Sequence, residues 1–269
     1  MNMRFAGTLV LLAMAAGAQQ RPDPGKGVNF YSIEKEVALG KQLADEFRAR
    51  THALENAAVL AYVDAIAQRL AAQIGGPEFH YTIALIADDP TSLHEIAAFP
   101  GGFLFVPSSL ILAAENEDEF AGMLAHAIAH VASRDATRQA TKAELMQTAN
   151  APLIAMGGWT GYAIEQGSTA AIPVAMRQMR RRFELNADSL AVGAMAAAGY
   201  DPAALARYIE RVQPADDGTN RFDSALPRRS QRLEALRAAI GELPPRTYPS
   251  HEGFTRIQGE IRRMPPRSR

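Results

Sequence analysis

The stretch ENEDEFAGMLAHAIAHVASRDATRQ, Glu115 to Gln139, decides how this chain is read. Phe120, Met123, Leu124 and Val131 recur at helical spacing, and Asn116 offers an N-cap ahead of the acidic first turn Glu117, Asp118 and Glu119. The pattern predicts one amphipathic helix over Glu117–Gln139. His126 and His130 fall one turn apart on one face of it, so both imidazoles can reach a single metal ion. That is the spacing of H-E-x-x-H, where two histidines hold zinc and the glutamate after the first is a general base. Here the motif reads His-Ala-Ile-Ala-His, with Ala127 in the place of the base. The competing reading is two histidines satisfied inside a helical core.

A second run favours the metal. Phe183-Glu184-Leu185-Asn186-Ala187-Asp188 sets Glu184 and Asp188 on one helical face. A carboxylate from another helix would complete a three-ligand zinc site, and Asp188 could orient an imidazole through its far nitrogen. Taken alone, Glu184 reads equally as a solvated or ion-paired helix carboxylate.

Working outward, 269 residues suit one medium-sized domain with a substantial core. The 28 basic and 29 acidic residues nearly cancel, so no global field points to nucleic acid as a partner. Cysteine is absent, which rules out disulfides, thiolate metal sites and cysteine nucleophiles and leaves His and carboxylate ligands. Residues 1–18 read as a signal peptide, with a basic start, an apolar run and Ala16-Gly17-Ala18 as the cleavage site. An exported chain is expected, periplasmic in a Gram-negative source, with no stable membrane span after cleavage. Residues 19–30, rich in Pro and Gly, read as a linker.

Ser32, with Glu34 and Glu36 close behind, reads as a capping box opening a helix towards Arg50, and Asn56–Ile74 as a second amphipathic helix. Tyr81–Ala87 and Gly102–Val106 have strand character, joined by a turn-rich connection. A small sheet there could offer an edge to an extended peptide, or be a structural hairpin and nothing more. Leu153–Tyr162 is apolar but broken by glycines, and reads as connecting structure or a flap. A helix from Pro173 ends at Gly199; its Arg177, Arg180, Arg181 and Arg182 read as a solvated face or as one partner of the acidic ligands. Another runs from Asp201 to Val212, and a last one over Pro227–Ile240 exposes Arg228, Arg229 and Arg232. Residues 243–269 read as a Pro/Arg-rich tail with a disordered end, leaving 31–242 as the domain.

Together these segments resemble the HtpX/BepA-like zinc metallopeptidases, gluzincins related to the CAAX-processing proteases, in their soluble exported branch. The likeness rests on Asn29-Phe30-Tyr31-Ser32 with Glu34 and Glu36, on Phe99-Pro100-Gly101-Gly102, on His126 and His130, on Glu184-x-x-Ala187-Asp188, and on Ala198-Gly199-Tyr200-Asp201-Pro202. It implies a mostly helical α+β zincin-like domain with a small sheet beside the zinc helix. It further implies one Zn²⁺ on His126, His130 and Glu184 with Asp188 in support, and endopeptidase action on unfolded or misassembled envelope polypeptides, outer-membrane proteins among them. The substrate is expected to add as a strand along Gly101, Gly102, Phe103, Leu104 and Phe105. Two departures stand out. Ala127 replaces the family's glutamate, either as an inactivating replacement or as the natural residue of a pseudoprotease that binds without cutting. Leu226 stands where relatives often carry a histidine near the metal, with His251 and Tyr248 as possible substitutes.

Overall fold

In a computed structural model, residues 24–87, 94–146, 174–214 and 226–264 are described. The expected signal peptide, the Leu153–Tyr162 run and the last five residues lie outside them. The described chain orders as α1 (Ile33–Arg50), β1 (His52–Ala53), α2 (Ala57–Ala71), β2 (Thr82–Ala87), β3 (Ala97–Phe99), β4 (Phe103–Pro107), α3 (Ser108–Ala113), α4 (Glu117–Ala132), α5 (Asp135–Leu145), α6 (Val174–Ala198), α7 (Ala203–Val212), α8 (Arg229–Gly241) and α9 (Phe254–Arg263). This is the mostly helical α+β arrangement expected, with one small mixed sheet.

The sheet runs β1-β2-β4-β3, with β2 parallel to β4 and the outer pairs antiparallel. Strand alternation gives it two apolar faces. Leu104 and Val106 of β4, with Ile83 and Leu85 of β2, join the main core with α2, α4, α6 and α7. Phe105 and Ile86 point the other way, where Ala44 and Phe47 of α1 cover them. There Phe47, Phe99 and Phe105 pack ring to ring, with centroids 4.9–5.6 Å apart.

The β3–β4 turn is held tightly against α1. Gly101 and Gly102 both have positive φ, 77° and 104°, which an L side chain adopts at a cost. A Cβ on Gly40 of α1 would stand 1.7 Å from the Pro100 carbonyl oxygen, so the helix and turn touch backbone to backbone. The connection read as turns between two strands therefore contains a strand of its own, β3. Its three residues are too short for periodicity to register.

The central helix differs from its expected form. Every residue of α4 except Asp118 is buried, so the apolar stripe is a helix enclosed on all sides, against α6, α2, α7 and β3. It also ends at Ala132. Arg134 takes a left-handed backbone (φ 57°, ψ 34°) and α5 begins at Asp135. The expected continuation to Gln139 is a second, separate helix.

Three further expectations change. Position three after Ser32 is Lys35, so no capping box forms: the Ser32 hydroxyl accepts from the Lys35 N–H, and Glu36 turns inward to Arg134. Arg232 is buried, at 3 % exposure. The segment read as a tail contains α9, whose Phe254, Ile257 and Ile261 belong to the main core, with Phe254 stacked on Phe120 at 5.6 Å. Its apolar residues are spaced as one helical face, a signal masked by the flanking prolines and arginines.

Candidate metal centre

The site is built by four helices. α4 supplies His126 and His130, α6 supplies Glu184 and Asp188, α5 supplies Asp135 and α8 supplies Arg232, and all six side chains are buried. His126 Nε2 and His130 Nε2 lie 3.1 Å apart. The Glu184 carboxylate straddles them, Oε2 at 3.4 Å from His126 Nε2 and Oε1 at 3.6 Å from His130 Nε2. A tetrahedral zinc ion with bonds of about 2.0–2.2 Å holds its ligands about 3.3–3.6 Å apart. The two His–Glu184 separations fall in that range and the His–His separation just below it, and among the described residues the three side chains form the one such group of His and carboxylate residues that could hold an ion.

The surroundings argue for a cation in the same place. His130 Nδ1 is hydrogen-bonded to Asp135 Oδ2 at 2.9 Å. His126 Nδ1 lies 2.9 Å from Asp188 Oδ1, off the line of a hydrogen bond but at ion-pair distance. With both Nδ1 atoms facing carboxylates, the ring protons belong on that side, and both Nε2 lone pairs turn towards each other and towards Glu184. Glu184 Oε2 is buried with no hydrogen-bond donor. Three buried Lewis bases converging on one point require a shared positive charge, and His₂Glu is a donor set that suits zinc.

The electrostatics of the cluster likewise favour positive charge at this point. Burial alone would push the His130 imidazolium down, but the Glu184 and Asp135 carboxylates outweigh it and lift its pKa to about 10. Burial would raise Glu184, yet the two imidazoles hold it well below the usual carboxylate range. Asp188 is likewise held low against burial, by Arg232. That guanidinium binds both carboxylate oxygens, Nε to Oδ2 at 2.8 Å and Nη2 to Oδ1 at 2.6 Å.

Position 127 is a buried methyl, 3 % exposed, on the same helix. Each nearby carboxylate of the four-helix cluster already has a post: Glu184 with the Nε2 pair, Asp188 with Arg232 and His126, Asp135 with His130. None of the three is free to replace a glutamate at 127.

Other expected residues fall elsewhere. Gly101 and Gly102 form the β3–β4 turn, and Phe103, Leu104 and Phe105 lie in β4. β4 is hydrogen-bonded to β2 on one side and β3 on the other, so it cannot take on another strand. The outermost strand on that side is β3, Ala97–Phe99, whose three residues are buried and pack against α4. His251 is not near the candidate metal ligands: it faces Glu117 and Asp118 at 3.6 and 3.7 Å, about 12 Å or more along α4 from His126 by helical rise. Tyr248 lines a surface cavity of about 550 Å³ at that same end, with Asp118 and Asp201. Leu226 is buried and offers no ligand. Among the α6 arginines, Arg180 is buried and Arg182 exposed; Arg232, from α8, is bound to Asp188.

Asp135 and Arg232 are the residues of this cluster that sequence reasoning missed. On one continuous helix a residue five beyond His130 would sit about 140° around the axis from it, so only the break at Arg134 brings Asp135 to that ring. A left-handed arginine carries no Gly or Asn signal. For Arg232 the usable signal was Asp188, since a buried carboxylate needs a cationic partner.

Comparison with known proteins agrees with this centre. Residues 57–240 match Peptidase family M48, a stretch that holds all three candidate ligands. The "Beta-barrel assembly-enhancing protease" of Escherichia coli O157:H7 is 24% identical over 257 residues, covering 90% of this chain and 51% of that protein. The same figures hold for its counterpart in Escherichia coli strain K12. A "Putative beta-barrel assembly-enhancing protease" of Vibrio cholerae serotype O1 is 26% identical over 188 residues, 67% of this chain and 38% of that protein. The chain spans about half the length of the curated relatives it matches. With a family match over most of its described residues and a buried His₂Glu cluster inside it, the chain belongs to peptidase family M48.

Proposed function

We propose that this chain is an exported zinc metallopeptidase whose substrates are unfolded or misassembled envelope polypeptides, outer-membrane proteins among them, and which binds metal but does not cut because Ala127 replaces the general base. The observation that carries the reading is the contrast at the centre: the donor set and its supports are complete, and one methyl stands at 127. His126, His130 and Glu184 would hold the ion, and Asp188 would keep His126 oriented. When bound, zinc supplies Lewis acidity for peptide hydrolysis. A substrate running as an extended strand would pair with the β3 edge at Ala97–Phe99, which moves the expected contact one strand outward from Phe103–Phe105. Export rests on the leader-like residues 1–18 and fits the relatives' printed role in β-barrel assembly; periplasmic residence follows if the source is Gram-negative. No described helix is long and apolar enough to cross a membrane.

The second reading keeps the metal and drops the chemistry: a pseudoprotease in which Ala127 is natural and envelope polypeptides are held without cleavage. Restoring the carboxylate separates the two. Ala127→Glu is expected to gain chelator-sensitive cleavage of an unfolded protein such as casein, since a general base is worth about 10²–10⁴-fold. A zinc-loaded Ala127→Glu protein that still leaves casein intact would leave only the binding reading.

A further inference from the structure

The metal site has a second supporting carboxylate, on a different helix from the one the sequence suggested. Asp135 is fully buried and its Oδ2 lies 2.9 Å from His130 Nδ1. Each histidine of the pair therefore has its own carboxylate: His126 faces Asp188 of α6, and His130 faces Asp135 of α5. Each carboxylate in turn has an arginine. Arg232 grips Asp188 with two bonds, and Arg138 stands 3.6 Å from Asp135 Oδ1 while lying over the Phe183 ring at 5.1 Å, next to Glu184.

The placement of Asp135 is enforced from outside the site. The left-handed residue that breaks α4 from α5, Arg134, donates from Nε to Glu36 Oε2 at 2.6 Å and from Nη2 to the Tyr31 carbonyl at 2.6 Å. Thr137, two residues beyond Asp135, donates to the same Glu36 oxygen at 3.1 Å and accepts from Asn29 Nδ2 at 2.8 Å. The Phe30 N–H donates to Thr141 Oγ1 at 3.0 Å. Residues 29–36 thus strap the first turns of α5 and fix the turn that swings Asp135 beneath His130. As the first residue of an 11-residue helix, Asp135 also has its charge placed where the helix dipole favours it.

We infer that Asp135 is a positioning residue for the metal centre, holding His130 as the Nδ1–H tautomer so that Nε2 is presented to the ion, with the 29–36 strap setting the turn that delivers it. This rests on the metal-site reading above. The carboxylate does not touch substrate or ion; it acts through the imidazole, fixing ring orientation and strengthening Nε2 as a ligand.

The test uses the full chain and its Asp135→Asn, Asp135→Ser and Asp188→Asn variants, titrated with zinc against a chromogenic chelator, with ring tautomers read by long-range ¹H–¹⁵N NMR of the histidines. Each Asn variant is expected to bind zinc about 10–100-fold more weakly. The two variants should leave different signatures, Asp135→Asn shifting the His130 ring signals and sparing His126, and Asp188→Asn doing the reverse. Asp135→Ser keeps a helix-starting residue without the charge, so it reports the carboxylate if the Asn variant fails to fold. A parent chain that takes up no zinc would remove the metal site itself. A parent that binds zinc, with Asp135 variants that match it in affinity or disturb both rings alike, would overturn the positioning role and leave the metal site standing.

Discussion

Removing the Arg232 guanidinium tests the electrostatic frame of the site without touching a ligand. Arg232 and Asp188 are 3 % and 1 % exposed and joined by two short hydrogen bonds. Taking away one partner strands the other's charge in the interior, which costs about 3–5 kcal/mol, whereas replacing both with apolar residues of similar volume is often neutral. Arg232→Met should therefore lose about 3–5 kcal/mol in urea unfolding of chelator-treated protein at neutral pH, and the double variant Arg232→Met/Asp188→Leu should recover much of it. The sign of the pH dependence follows from Asp188. Its folded pKa is depressed below 3.8, so its contribution is present above 3.8 and is lost as pH falls through the folded value. The gap between parent and Arg232→Met should narrow in acid, where the stranded carboxylate takes up a proton. A loss below about 1 kcal/mol in Arg232→Met, or a double variant as weak as the single, would refute the reasoning.

Other consequences are equally direct. The Glu184 and Asp135 carboxylates favour the protonated form of His130 against its burial, so zinc competes with a proton there and apparent affinity should weaken as pH falls; an affinity that stays constant between about pH 6 and 8 would contradict that competition. Gly40→Ala would set a methyl 1.7 Å from the Pro100 carbonyl and should cost about 1–3 kcal/mol by forcing α1 off the β3–β4 turn, read as a fall in thermal midpoint. Phe254→Ala should cost about 3–5 kcal/mol, because α9 is part of the core; a change within about 0.5 kcal/mol would return it to the status of a tail.

What the sequence revealed and what it hid divide along physical lines. The i, i+4 pairs His126/His130 and Glu184/Asp188 depend only on helical pitch, so the candidate ligands were legible before any fold was known. The Asn116 cap and the stop at Gly199 were legible for the same reason, since both are local backbone chemistry. The break at Arg134 was hidden because its left-handed conformation is held by Glu36 and Tyr31, about a hundred residues away in sequence. Asp135 was hidden with it. Arg232 looked solvated because arginine usually is, and only the position of α8 against α6 shows otherwise. The three residues of β3 carry no readable period, and Phe99-Pro100-Gly101-Gly102, likened to the family's edge strand, holds only the last residue of β3 and then the turn after it.

The central claim is that His126, His130 and Glu184 hold one zinc ion. Native mass spectrometry of the chain purified without chelator, beside His126→Ala and Glu184→Gln, addresses it most directly. The account predicts one zinc per parent chain, none retained by His126→Ala, and weakened retention in Glu184→Gln. A folded parent free of metal, or zinc retained undiminished in both variants, would contradict it.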